Sequence, residues 1–114
     1  MSDSDYKIPN DDDVIPEDIR PGADLAGADL SRALLAEANL AGADLSGAIL
    51  TRASLREANL AGADLSDATL NSSVLREADL SDADLTNARC PAADVSDADL
   101  AGANVSDAIL LHID

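Results

Sequence analysis

The chain has 114 residues, room for one small domain, so a two-lobed enzyme is excluded. Its 23 Asp and Glu against 7 Lys and Arg give a net charge of -16 and a pI of about 4.1, which excludes a nucleic-acid binder working through phosphate contacts. Tyr6 is the only aromatic residue and most of the 46% apolar content is Ala and Leu, so an ordinary mixed core is excluded. Cys90, the single cysteine, can found neither a disulfide framework nor a cysteine zinc site.

Residues 1–20 form an acidic leading segment. Residues 1–13 carry five Asp and almost nothing apolar, which predicts disorder. The start MSDSDYKIPNDDD lacks the basic and apolar regions of a signal peptide. No apolar run in the chain approaches the roughly 18 to 20 residues of a membrane span. The expected location is therefore cytoplasmic, with no membrane partner. Val14, Ile15 and Ile19 then flank Pro16, Glu17 and Asp18, a pattern that predicts a short helical turn capping the segment after it.

From 21 to 110 the sequence repeats every five residues. Leu stands at 25, 30, 35 and every fifth position to 85, then at 100 and 110; Cys90, Val95 and Val105 fill the remaining places. Two positions earlier stands Ala, from Ala23 to Ala108, with Ser73 the one exception. Five residues advance an α-helix by about 500°, so successive Leu would scatter around the axis. A continuous strand fails as well, because an odd period sends every second Leu to the opposite face. The pattern that fits is Ala inward, a polar residue outward and Leu inward, followed by two residues that turn a corner. Glycines 22, 27, 42, 47, 62 and 102 all fall at the second corner position, as turn residues rather than a phosphate cradle. A shift of 20 residues exposes the longer repeat: PGADLAGADLSRALLAEANL matches AGADLSGAILTRASLREANL at 14 of 20 positions. Four pentads therefore make one coil.

This run resembles the pentapeptide-repeat family, whose pattern is a small residue, Asp or Asn, Leu or Phe, and two variable residues. The resemblance implies an all-β fold, a right-handed quadrilateral β-helix of about four and a half coils of four pentapeptides over residues 21–110. The absence of Phe from every central position is a departure from the family pattern.

Residues twenty apart then stack in columns on each face. Asp24, Asp44, Asp64 and Asp84 form one candidate acidic interaction column, whose carboxylates, about 4.8 Å apart, are expected to repel and to have raised pKa values. Glu37, Glu57 and Glu77 form another, with Arg56 and Arg76 placed for diagonal ion pairs. Counting each middle column with the corner after it, the four faces carry -6, +2, -3 and -3; the positive one holds Arg32, Arg52 and Arg89 against Asp29. Leu34, Ile49, Val74 and Ile109, the apolar residues at outward middle positions, fall on the second and third faces. A lateral partner would dock along that shared edge, although scattered apolar exposure is also an ordinary surface feature.

The last segment, 111–114, is apolar. Ile109, Leu111 and Ile113 are a candidate association end, either sealing the open coil or joining it to a second copy as an end-to-end homodimer. His112, the only histidine, has no partner nucleophile near it in sequence, and no GxSxG or HExxH is present. Neither a catalytic residue, a metal nor a cofactor is expected. The favoured function is a non-catalytic structural or protein-interaction module with an unknown protein partner. Nineteen Asp against one Lys resembles the composition of proteins adapted to high salt. The alternative is DNA mimicry, since some members of the family resemble a B-DNA rod and occupy the DNA site of type II topoisomerases such as gyrase.

Overall fold

A computed structural model of the chain describes residues 5–110. Fourteen parallel bridges join residues twenty apart, from Asp24 with Asp44 to Arg89 with Ile109, so each pentad contributes one rung on one side of a coil of four pentads. The rungs are single bridges because only three residues of each pentad are extended before the chain turns. Within a rung the middle residue donates back and the Leu donates forward: the Asp64 N–H reaches the Ala43 carbonyl at 2.9 Å, and the Leu45 N–H reaches the Asp64 carbonyl at 2.7 Å. The second corner residue adds another link, as from the Gly42 N–H to the Ala61 carbonyl at 2.9 Å.

Leu and Ala point inward as the five-residue period predicts. Every repeat Leu from Leu30 to Leu70 is fully buried, as is nearly every Ala between them. Burying one Leu side chain contributes about 1.5 to 3 kcal/mol. Ser73 occupies an Ala site with no exposure, and its Oγ–H donates to the Leu70 carbonyl at 2.8 Å. That bond satisfies the hydroxyl, so the one break in the Ala column leaves no unpaired group inside.

Each corner is a β-turn closed by a bond such as that from the Ala43 N–H to the Leu40 carbonyl, 3.0 Å. Its second corner residue has φ near +60°, the left-handed conformation a type II turn needs. Six of these residues are Gly and twelve are not, among them Arg32, Glu57, Asp67 and Ala92. A Cβ at Gly42, φ +68, would meet nothing within 4 Å, so Gly42→Ala isolates the backbone cost. It should lower stability by about 1 kcal/mol, and Ala92→Gly should raise it by somewhat less, because glycine also loosens the unfolded chain. Denaturant melts of the two variants check the opposite signs.

The leading segment differs from its expected disorder over residues 5–13. Tyr6 is buried against the apolar interior, and Lys7 pairs with Leu34 in an antiparallel bridge, its N–H and carbonyl bonded at 3.2 and 2.8 Å. The Asn10 amide donates to the Ser31 carbonyl, and Asp11 Oδ2 accepts the Asp29 N–H. These groups lie on the edge of the first coil, where no earlier coil precedes them, and the segment satisfies them. The expected turn is a 3-10 helix, Pro16–Asp18. Ile19 is buried and Val14 half-buried beneath it, but Ile15, expected in the same cap, is 52% exposed.

Candidate interaction surface

The outward middle residues are not merely solvated; they tie down the corners. Asp44 Oδ1 accepts the Ser46 N–H at 2.9 Å and the Ser46 hydroxyl at 2.6 Å. Asp64 with Ser66, Asp79 with Ser81, Asp84 with Thr86 and Asp94 with Ser96 repeat the arrangement. Asn39 and Asn59 make the backbone bond alone, to Ala41 and Ala61. This use of Asp was missed in the columns, yet it has a local signal: Asp or Asn two residues before a turn, often followed there by Ser or Thr.

Those bonds correct the expected ionisation at Asp44 and Asp84. Asp24, Asp44, Asp64 and Asp84 do stand in line, bridged rung to rung. The hydroxyl of Ser46, and then its N–H, hold the Asp44 carboxyl below the usual range; Thr86 does the same to Asp84. Two short donors to the ionised form outweigh like charges farther away across solvent.

The shift runs the other way at Glu57, in the middle of the glutamate column. Glu57 is pushed up from its ordinary value by hydrogen bonds with Glu37 and then Glu77, and by the charge of Glu77. Arg76, expected to pair with that column, reaches Asp94 instead, at 3.6 Å.

The far end of the coil is apolar and open among the described residues. Leu100, Val105, Ile109 and Leu110 are each about 40% exposed, and a hollow running inward from there is lined by Leu75, Leu85 and Cys90. Burial pushes the Cys90 thiol up to about 11, so it stays an unreactive thiol near neutral pH. Leu111 and Ile113, the other candidate association residues, and His112 lie outside the described residues. Among the described residues, no group of three or more His, Cys, Asp or Glu is placed to hold a metal ion, and no helix is long and apolar enough to cross a membrane.

The twenty-residue rungs and inward Ala–Leu columns coincide with a family match: the profile described as pentapeptide repeats recurs in 8 copies over residues 22–52, 53–89 and 78–110. The chain belongs to the pentapeptide-repeat family. Its architecture is accordingly that of a pentapeptide-repeat β-helix. Among solved pentapeptide-repeat structures it is similar to HetL, involved in heterocyst differentiation regulation, from the cyanobacterium Nostoc sp. strain PCC 7120. The two are 39% identical, over 79% of this chain and 50% of that one, with a TM-score of 0.37. A second pentapeptide-repeat protein of Nostoc is 38% identical over 81% of this chain and 64% of that one, TM-score 0.33. QnrB1, a plasmid-mediated fluoroquinolone resistance protein, is 18% identical over 81% of this chain and 60% of that one, TM-score 0.48. The chain thus spans less than two thirds of the length of each. No curated protein matches it.

Proposed function

We propose that this chain is a non-catalytic structural or protein-interaction module of the cytoplasm, needing no cofactor and binding neither nucleic acid nor membrane directly. The observation that carries the reading is the straightness of its columns: backbone bridges at a constant interval hold outward side chains in fixed rows, as Asp44, Asp64 and Asp84 show. Rows of that kind present a preorganised surface, so little ordering is lost when a partner docks. The coil is taken as right-handed, of about four and a half turns over 21–110, with 1–20 as an acidic leading segment and 111–114 as an apolar end. The acidic surface is read as an adaptation to high salt. The open end around Ile109, with Leu111 and Ile113 beyond it, is read as the contact of an end-to-end homodimer.

DNA mimicry is the second reading, favoured by one observation: the Asp44 and Asp84 carboxyls are held ionised in line. Residues 21–110 carry 15 acids against 5 Arg. Over the roughly 22 Å of that coil a duplex would present about 13 phosphates. A pull-down of the intact chain, run beside a gyrase supercoiling assay, separates the readings. Asp44→Asn, Asp64→Asn and Asp84→Asn together strip the charge while keeping the acceptor that Asn39 and Asn59 use at the same turn. Supercoiling is expected to proceed unimpeded by the chain; inhibition that disappears in the triple variant would replace the module by the mimic. Sedimentation of the same preparations should show a dimer that charged residues at Ile109, Leu111 and Ile113 convert to monomer.

A further inference from the structure

We propose that the edge shared by the second and third faces binds an extended segment of a partner protein that presents carboxylates around aliphatic side chains. This rests on the protein-interaction reading and names the partner's chemistry. Leu34 and Ile49 are 49% and 39% exposed here, and Val74 is half-buried on the same face as Leu34. Ile49 is bridged to Thr69, and Ser54 to both Leu34 and Val74, so the apolar side chains alternate with hydroxyls on adjoining rungs.

The corner between these two columns carries Ser31 and Arg32, Thr51 and Arg52, Asn71 and Ser72, then Pro91 and Ala92, without one acid. Arg89 lies farther along the second face. Among the described residues Arg32, Arg52 and Arg89 form no ion pair, in a chain holding 23 acids. The acids that bound the edge are already engaged: Asp29 accepts the Ser31 hydroxyl, and Asp94 accepts Ser96 and faces Arg76.

Charge complementarity selects the occupant. The first and fourth faces, at -6 and -3, repel an acidic partner, as does the far corner of the third, with Glu37, Glu57 and Glu77; the corner between the second and third columns carries Arg32 and Arg52 and no acid, so an acidic segment has its seat there. The partner's aliphatic groups would cover Leu34 and Ile49, and its carboxylates would meet Arg32 and Arg52 in charge-assisted hydrogen bonds. A second copy of this chain fits poorly, because its column of Asp24, Asp44, Asp64 and Asp84 has carboxylates with no aliphatic side chain among them.

The test titrates the isotope-labelled full chain, in about 0.1 M salt, with three hexapeptides in which leucine alternates with glutamate, glutamine or lysine. The glutamate peptide should shift the amide resonances of Leu34, Ile49, Arg52 and Thr69 and bind at least ~10-fold more tightly than the glutamine peptide. Arg32→Glu with Arg52→Glu should abolish those shifts, and Arg32→Lys with Arg52→Lys should retain most of them. Thermal melts confirm that each variant folds, with the paired Gln variants replacing the Glu ones if charge reversal unfolds the chain. The proposal is overturned if the glutamate peptide leaves these residues unmoved, binds the charge-reversed chain equally, or is displaced from them by a second copy as concentration rises. If the lysine peptide alone binds, and at the acidic columns, this assignment is lost while the protein-interaction reading stands.

Discussion

Leu65→Asp is expected to abolish cooperative folding. Leu65 has no exposure and sits mid-coil, with Leu45 and Leu85 one coil before and after it. A carboxylate there loses the Leu burial of about 1.5 to 3 kcal/mol and adds a desolvation penalty of several kcal/mol more, since the repeat side chains packed inside are Leu and Ala, and the buried Ser73 hydroxyl already donates to the Leu70 carbonyl. A chain of this size holds about 5 to 15 kcal/mol in total, so the loss consumes most of it. Ile49→Asp is the control: an aliphatic side chain at an outward position, 39% exposed, where the carboxylate keeps its water. The control should melt within a few degrees of the parent while Leu65→Asp shows no sigmoidal transition by circular dichroism. Parent-like melting of Leu65→Asp would mean that the Leu column is not the interior.

Stability should peak in mild acid and rise with salt. The carboxyls of Asp29, Asp44, Asp79, Asp84 and Asp94 are lowered from 3.8 on folding, chiefly by the hydroxyl two residues on. Their contribution is therefore present above the unfolded value and is lost as pH falls through the folded ones. Glu57 is raised from 4.5 by Glu37 and Glu77, so its contribution is complete below 4.5 and is lost as pH rises through the folded value. The melting temperature should climb gently as pH falls from neutral toward the ordinary glutamate value of 4.5, and fall steeply below the ordinary aspartate value of 3.8. Glu57→Gln should flatten the first limb and leave the second. At fixed neutral pH, screening shortens from about 10 Å at 0.1 M salt to about 3 Å at 1 M, so melts in KCl and NaCl should both rise by several degrees. A flat series in both salts would show that the acidic surface is not under repulsion.

How much of this was readable in the residues varies with distance along the chain. The core was legible because period five leaves one arrangement in which Leu and Ala share an inside, and the shift of twenty supplied the number of sides. Docking of the leading segment was not: Tyr6 is one aromatic in a stretch of Asp and Asn, without a period to announce that it is buried. The pairing of the neighbouring Lys7 with Leu34 was equally hidden, since backbone pairing to an edge leaves no trace in side-chain pattern. The ionisation of Asp44 and Asp84 was misjudged because column arithmetic counts charges twenty residues apart, whereas the deciding donors sit two residues away, in Ser46 and Thr86. Nor did Arg32, Glu57 or Ala92 betray a left-handed backbone, which the glycines alone suggested.

The constant bridge interval also governs how such a gene can change length. Duplicating a single pentad keeps every Ala and Leu inward, so the product still folds, but each later pentad passes to the next side. With the extra pentad between Thr69 and Asp84, Asp84 would stand in line with Thr69 rather than Asp64, and every surface row that crosses the insertion would change partners at once. Duplicating a block of four pentads lengthens the rows and alters nothing else. Heredity therefore edits this protein on two scales: the interior tolerates additions in fives, while any partner that reads its sides admits them only in twenties.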